Sequence, residues 1–435
     1  MRLDTNFFIK SYRVTTTLIS FFIDFFLIYR KFLKKENEQT LRQKTSREFV
    51  KKPASEHKLT WIHAVSIGET RSAITVAEII LNKDPNQYIL LTTSTISSSE
   101  IINKIDNEKI IHQYLPLDVQ KYVNKFINYW SPSVCIFMEA EIWPNYFLEI
   151  EKRKIPLFIL NGRLTKKSYN RWNKFPKFAK KILNIPRVIS CQDNETYERY
   201  KSLEVKNLIK SENIKYANRP LRVDDIEFNS LEQLFNERLV YIIVSAHDRE
   251  GEIFLSVHKQ LHSLDPNTVC IYVPRHPSGV REMIQLLDKD KISWTKLPSQ
   301  ETNKNEYNNN INFYIVDKFG VLGTYLKLSK LAIIGGSFID IGGHNPVEAI
   351  QLNCPVFHGC YIRNFHEVYR ELGELNCCNQ ADNEEDLIKK IRSYFSNIDR
   401  IELTKKNIKN IIDTKRLSVE NEIKNILSLK DGDYS

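Results

Sequence analysis

Apolar and polar positions alternate along this chain in two successive series of short apolar runs separated by amphipathic segments. In the first series, residues 59–65, 88–93, 112–115, 134–138, 156–160 and 187–191 read as buried strands with helical periodicity between them. In the second, residues 239–245, 268–273, 292–296, 312–316, 331–334 and 355–358 repeat the pattern without repeating the sequence. Strand-then-helix alternation of this kind predicts open, mostly parallel α/β sheets. A chain of 435 residues exceeds what one hydrophobic core usually serves, so two Rossmann-like domains facing each other across a cleft are expected. The stretch "SENIKYANRPLRVDD" ends the first periodicity and sets the boundary: an N-terminal domain over 51–217 and a C-terminal domain over 218–435. In such sheets ligands bind beyond the carboxyl ends of the strands.

The first 50 residues are different. "VTTTLISFFIDFFLIYRKFLKK" is apolar from Val14 to Tyr29 apart from Asp24, with Arg2, Lys10 and Arg13 before it and Arg30, Lys31, Lys34 and Lys35 after. Spanning a bilayer takes roughly 20 apolar residues, so the run is short and charged at its centre. With no small-residue cleavage site after it, it reads as a retained anchor, spanning the membrane or lying in its interface, with the remainder cytoplasmic beside the basic flank. A buried core helix is the alternative. Residues 34–58 contain little that could fill a core and read as a linker, so residues 1–50 are taken as anchor and linker. The segment from Glu384 is helical in period, and "TNKNEYNNNIN" is a loop by composition.

Charge and cysteine content narrow the setting. The net charge of +10 comes mostly from Lys scattered along the chain, which suits anionic lipid head groups or phosphorylated substrates as well as nucleic acid. Seven Cys is an odd number, and none has metal-ligand spacing, which fits buried thiols in a reducing cytoplasm.

Loops that follow the apolar runs carry the side chains capable of chemistry. In "WIHAVSIGETRSA", Ser66, Ile67 and Gly68 read as a tight turn from a strand into a helix that starts at Glu69. Ser66 and Glu69 have capping-box spacing, and a carboxylate at a helix start is also kept ionised and able to accept a proton. The same helix field lowers its basicity, so a working base there requires an apolar wall or a positioned acceptor to offset it. "FMEAEIWPN" places Glu139 and Glu141 at another strand end, for acid/base or positioning work or as complements to the next helix dipole, and "NGRLTKKS" offers Arg163 to an anion. "VPRHPSG" sets Arg275 and His276 after a strand, between two prolines that fix the turn.

"LAIIGGSFIDIGGHNPVEAIQLNCPVFHG" is the most informative stretch. Gly335, Gly336 and Ser337 end a buried strand, Gly342, Gly343 and His344 form a second bare-backbone turn, Asn345 can cap, and Pro346 opens a helix to about Leu352. Bare backbone amides and a helix N-terminus attract a phosphate. Glu348 stands three residues after Asn345, again at capping-box spacing, and alternatively accepts hydrogen bonds from sugar hydroxyls. Walker A, C-x-x-C, H-E-x-x-H and G-x-S-x-G patterns are absent from the sequence.

Taken in order, "AVSIGE", "EAEIWPN", "NGRL", "PRHP" and "GGSFIDIGGHNPVEA", with "NF" at Asn364-Phe365, resemble the 3-deoxy-D-manno-octulosonic acid (Kdo) transferase family of lipopolysaccharide synthesis over roughly residues 55–370. The resemblance implies a GT-B glycosyltransferase fold with an N-terminal membrane anchor. It implies inverting transfer of Kdo from CMP-Kdo to a phosphorylated lipid A precursor (lipid IVA) at the cytoplasmic face of the inner membrane, beside its lipids. Neither a metal nor a nucleic acid partner is expected. Glu69, in the motif with Ser66 and Gly68, would deprotonate the acceptor hydroxyl. Arg275, His276 and the turns carrying Gly335, Gly336, Ser337, Gly343, His344 and Asn345 would surround the nucleotide, with Glu348 on ribose hydroxyls. Glu139 and Arg163 would lie near Kdo or the acceptor, and Lys215, His247 and Asn364 complete the expected binding set. Three departures stand out: "ENIK" keeps Asn213 and Lys215 but has Glu212 where the family has Gly, "DKFGVL" has Val321 in place of a glutamate, and "SAHDREGE" keeps His247 with altered spacing. A GT-B transferase using a UDP-sugar and a catalytically silent membrane-associated protein are the competing classes. Val321 favours the silent protein; Glu69 and the intact donor loop weigh against it.

Overall fold

The computed structural model describes residues 5–53, 57–236, 238–297, 311–318 and 320–428. Most of "TNKNEYNNNIN" lies outside them. The chain divides into two compact units, one of Met1–Arg219 with Lys415–Ser435 and the other of Pro220–Thr414.

In the first unit the apolar runs become β1 (Leu59–His63), β2 (Tyr88–Thr93), β3 (Ile110–Tyr114), β4 (Val134–Met138), β5 (Leu157–Gly162), β6 (Val188–Cys191) and β7 (Leu208–Lys210). They form a parallel sheet in the order β3-β2-β1-β4-β5-β6-β7. Burial on both faces explains why β1 and β4 read as unbroken apolar runs rather than alternating ones. Trp61, Phe126, Phe137 and Tyr146 pack on one face; Ile62, Val76, Ile136 and Leu160 pack on the other.

The second unit repeats the plan with β8 (Leu239–Ala246), β9 (Thr268–Pro274), β10 (Trp294–Leu297), β11 (Phe313–Val316), β12 (Ala332–Ile334), β13 (Val356–His358) and β14 (Cys378–Gln380). Their order is β10-β11-β9-β8-β12-β13-β14, again all parallel. Both sheets reverse strand order beside their first strand, at β1/β4 and at β8/β12. In a doubly wound sheet that reversal opens the crevice where ligands bind.

Two expectations about the ends of the chain are corrected. The long helix Ile398–Ser428 does not belong wholly to the second unit: Ile408 and Ile411 join its core, whereas Val419, Ile423, Ile426 and Leu427 pack with Ile62 and Val76 of the first. The second unit therefore ends at Thr414, not at residue 435. Nor is 34–58 a loose linker. Beyond α1 (Thr5–Phe32) the chain forms α2 (Glu38–Lys44), and Glu36, Gln43 and Lys44 are buried. Glu36 Oε1 accepts from Arg30 Nε at 2.9 Å and Lys44 Nζ at 2.7 Å, while Lys44 Nζ also donates to the carbonyl of Ser94 at 2.9 Å. Gln43 Oε1 accepts the amide of Tyr114 at 2.8 Å. This segment docks through hydrogen bonds and ions as well as through Leu41, Phe49 and Val50, with Phe49 stacked on Tyr129 at 4.7 Å.

Helix α1 is long and apolar enough to cross a membrane by length and composition. One side lies on the first unit: Ile23 and Leu27 pack on Val119, Tyr12 donates to Asp118 Oδ2 at 2.7 Å, Thr16 Oγ1 accepts from Asn145 at 3.3 Å, and Asp24 pairs with Arg47. The other side exposes Phe21, Phe22, Phe25 and Phe32, each more than 70% accessible. All seven cysteines are free thiols; Cys360 alone among them is exposed.

Removing one partner of a buried pair strands the other charge, at a cost of about 3–5 kcal/mol. Glu36→Ala is accordingly expected to lower stability in urea unfolding by about that amount, and the double substitution Glu36→Leu/Lys44→Met to recover most of it. A loss below about 1 kcal/mol, the range of an exposed pair, would show that the pair does not moor the segment.

Candidate active site

Parallel pairing sets the first half of the site. His63 lies opposite Phe137, so the turn leaving β1 and the turn leaving β4 are neighbours at the carboxyl edge of the sheet. The helix after β1, α3 (Ile67–Lys83), starts two residues earlier than the sequence suggests. Ser66 is its cap, with Oγ accepting from the amide of Glu69 at 3.3 Å, and Gly68 lies inside its first turn. Glu69 Oε2 in turn accepts from the amide of Val65 at 2.8 Å. The carboxylate thus reaches one residue beyond the cap, and the capping and chemical roles coexist. The carbonyl of Val65 is pinned as well, accepting from Ser98 Oγ at 2.9 Å.

The offset that a base at a helix start requires is present. Burial is the main cause that pushes the Glu69 carboxyl up to about 7; the nearby charges of Glu139 and then Glu141 add to it, against the hydrogen bonds from Val65 and Ser66. At that value about half the carboxyl is ionised near neutral pH, where a general base is most effective.

Glu139 is buried and its backbone is left-handed, at φ 51°; Asn161, at the end of β5, is held likewise at φ 55°. Such non-glycine conformations cost energy and persist where surrounding contacts enforce them. Here Lys215 Nζ pairs with Glu139 Oε1 at 2.8 Å, Asn161 Nδ2 approaches the same oxygen at 3.4 Å, and Asn161 Oδ1 accepts the amide of Ile214 at 3.0 Å. The half-buried Arg163 is tied in through its amide, which donates to the carbonyl of Glu139 at 3.2 Å. Glu141 accepts from Trp143 Nε1 at 2.9 Å and lies 3.7 Å from His63 Nε2, a fully buried nitrogen with no hydrogen-bond partner among the described residues. Sequence reasoning missed Asn161 and His63, each hidden as the polar end of an apolar strand.

Glu212 also finds an explanation. Its backbone is not left-handed, so the turn does not require glycine; its amide donates to Glu422 at 3.2 Å and its carboxylate pairs with Lys415 at 2.6 Å. Val321 packs against the core of the second unit, an apolar use of that position.

The second unit places its loops by the same rule, since Val244 of β8 lies opposite Ile334 of β12. His247 follows β8, Arg275 and His276 follow β9, and Gly335-Gly336-Ser337 follow β12. The rings of His247 and His344 stack with centroids 5.1 Å apart and their Nε2 atoms 2.9 Å apart, and His276 meets His247 edge-on at 5.8 Å. Burial first, and then Arg275 and the neighbouring histidines, hold His344 down at about 4; burial, His276 and Arg275 also lower His247. Both are therefore neutral at pH 7, while Arg275 is exposed and pairs with no carboxylate among the described residues. Asn345 is half-buried just before the short helix Val347–Ile350, which stops short of the expected Leu352, and Glu348 is half-buried within it; Asn345 Oδ1 accepts the amide of Val347 at 3.2 Å. Asn364 folds over the second glycine turn, its amide donating to the carbonyl of Gly342 at 2.9 Å, and the amide of Gly343 donates to the carbonyl of Gly336 at 2.8 Å.

One expectation is corrected here. The amides of the Gly335-Gly336-Ser337 turn are not left open for a phosphate. Gly335 donates to the carbonyl of Val244 at 2.8 Å, and Gly336 donates to Glu250 at 2.7 Å. Ser337 is fully buried, with Oγ donating to the carbonyl of Ile334 and accepting the amide of Gly359 at 2.8 Å. A Cβ on Gly335 would come within 2.6 Å of Ala246, so this glycine permits close packing of two protein loops.

Two parallel Rossmann-like units define the GT-B class of fold, which this chain has together with an apolar N-terminal helix. The fold matches the crystal structure of a glycosyltransferase from Rickettsia africae (TM-score 0.60, 12% identity, 86% of this chain and 98% of that one). It also matches Anabaena HepE in complex with UDP (TM-score 0.57, 12% identity, 85% and 99%). Within that class the chain belongs to the Kdo transferase family. Residues 39–218 match the family model described as 3-deoxy-D-manno-octulosonic-acid transferase. The Haemophilus influenzae 3-deoxy-D-manno-octulosonic acid transferase is 32% identical over 76% of this chain and 77% of its own. A probable mitochondrial enzyme of the same name from Arabidopsis thaliana is 30% identical over 85% of each.

With Glu69 labelled at its carboxyl carbon, NMR titration is expected to give a midpoint near pH 7. Glu139→Gln is expected to move it downward, because a raising charge is removed and Lys215 is left uncompensated. A wild-type midpoint in the ordinary glutamate range, about 4.3, would contradict this account.

Proposed function

We propose that this glycosyltransferase moves Kdo from CMP-Kdo to a phosphorylated lipid A precursor such as lipid IVA, with inversion, and that Glu69 is the general base. The observation that carries the reading is a half-buried carboxylate at a switch-point turn, raised to about 7 beside Glu139 and Glu141, in a member of the Kdo transferase family. The Glu69 carboxylate takes the proton of the acceptor hydroxyl as that oxygen attacks the anomeric carbon; the bond to CMP breaks and CMP leaves with the electron pair. Lys215 and Glu139 position the sugar or the acceptor, with Arg163 nearby. On the second unit Arg275 and His276 meet the charge of the departing nucleotide, which needs no metal in this scheme, and Glu348 accepts hydrogen bonds from ribose hydroxyls.

Helix α1 holds the enzyme at the inner membrane, with the two units on the cytoplasmic side. Its polar contacts with the first unit, from Tyr12 to Arg30, favour a helix that lies in the interface and turns Phe21, Phe22, Phe25 and Phe32 to the acyl chains. Lys31, Lys34 and Lys35 then face anionic lipid.

The test is transfer to a tetra-acylated, bis-phosphorylated lipid A precursor, with CMP-Kdo generated in situ. Wild type is expected to be active. Glu69→Ala is expected to lose about 10²–10⁴-fold in rate while CMP binding persists. An active Glu69→Ala variant would make Glu69 a helix cap only, and a folded wild type that binds UDP in preference to CMP would overturn the donor assignment.

A further inference from the structure

The amides that Gly336, Ser337 and Phe338 would offer to a phosphate already hold an anion, and it belongs to the protein. Glu250, the last residue of the short helical turn Asp248–Glu250 that follows β8, is fully buried. Its Oε2 accepts the amides of His247 at 3.0 Å and Gly336 at 2.7 Å, its Oε1 accepts the amide of Phe338 at 3.1 Å, and the amide of Ser337 bonds to it as well. Four converging N–H groups form the cradle that elsewhere binds phosphate. Here a side-chain carboxylate fills it.

The consequence reaches beyond one turn. His247, fixed through its own amide by Glu250, stacks on His344 of the second glycine turn. Gly336 accepts the amide of Gly343, and Ser337 accepts the amides of Gly359 and Tyr361 through Oγ and its carbonyl. The loop after β8, both glycine turns and the loop after β13 thus converge on a single carboxylate. Without it, four amides and the loops they carry would lose their common partner in a buried place, where each unmet donor is costly.

We propose that Glu250 is the positioning residue of the donor-binding surface: an internal anion that organises the two glycine turns so that His247, His276, His344 and Arg275, rather than the glycine amides, receive the nucleotide phosphate. The inference rests on the reading of the second unit as the donor-holding half. Glu250 touches no substrate in this account; it acts through the loops it ties.

Glu250→Ala deletes a fragment equivalent to acetate, which provides the test. In the full-length protein, CMP affinity is measured by calorimetry, and the protection of amides 335–345 by hydrogen exchange, with and without 50 mM acetate and with chloride at matched ionic strength. Far-ultraviolet circular dichroism checks the fold. The expected result is at least a tenfold loss of CMP affinity and of protection in the variant, substantially restored by acetate and not by chloride, with wild type indifferent to either. Glu250→Gln, which fills the space but offers one acceptor oxygen in place of two, is expected to remain impaired. A folded Glu250→Ala variant that binds CMP within twofold of wild type, or whose loops do not respond to acetate, would overturn the proposal. Wild type that fails to bind CMP would instead overturn the donor reading, while acetate-dependent protection of 335–345 would still judge the role of Glu250.

Discussion

Backbone pairing at two places, β1 with β4 and β8 with β12, is the constraint on which the chemistry depends. Parallel strands leave all their carboxyl ends on one edge, and the reversal of strand order beside β1 and β8 keeps the following loops from being covered by a crossover helix. In the first unit that brings the Glu69 turn beside the Glu139 turn; in the second it brings His247 beside Gly335. Residues 70 and 88 positions apart in sequence become neighbours through one hydrogen-bond ladder each. The glycine at 335 serves this convergence, since any side chain there would hold the β8 and β12 loops apart.

Charge is then distributed unevenly on purpose of function. Three glutamates gather in the first unit; Lys215 pairs with Glu139, yet burial first, and then the charges of Glu139 and Glu141, still raise Glu69. A lysine bonded to Glu69 instead would have kept it an ordinary ionised carboxylate and a weak base. The second unit does the reverse: His247 and His344 are held neutral, so each can donate one ring N–H and accept at the other nitrogen, while the Arg275 guanidinium supplies the positive charge. Glu250 is a buried carboxyl held by four backbone amides, and in the proposed scheme it meets no ligand.

The N-terminal segment shows how polar sequence can still be structure. Residues 34–58 lack apolar periodicity, yet Glu36, Gln43 and Lys44 are buried because each satisfies a specific partner: Arg30 and Lys44 on Glu36, the amide of Tyr114 on Gln43, the carbonyl of Ser94 on Lys44. Composition alone cannot distinguish a solvated lysine from one with a buried carboxylate waiting for it. In the same way Asp24, which interrupts the apolar run of α1, is matched by Arg47 on the face turned to protein.

By itself the sequence determined the class of fold, because an apolar run buried on both faces and an amphipathic helix leave different periods, and their alternation admits few architectures. It also marked the loops proposed to carry chemistry, since Glu69, Glu139, Arg275 and the glycine turns all follow strand-like runs. Only the tertiary structure decided what each group faces. The raised Glu69 carboxyl, the left-handed Glu139 and Asn161 tied to Lys215 and Ile214, the capture of the Gly336 amide by Glu250, and the passage of the last helix into the first unit all depend on contacts between distant residues. Local pattern records a residue's own preferences, whereas burial, field and hydrogen-bond partner are properties of its surroundings.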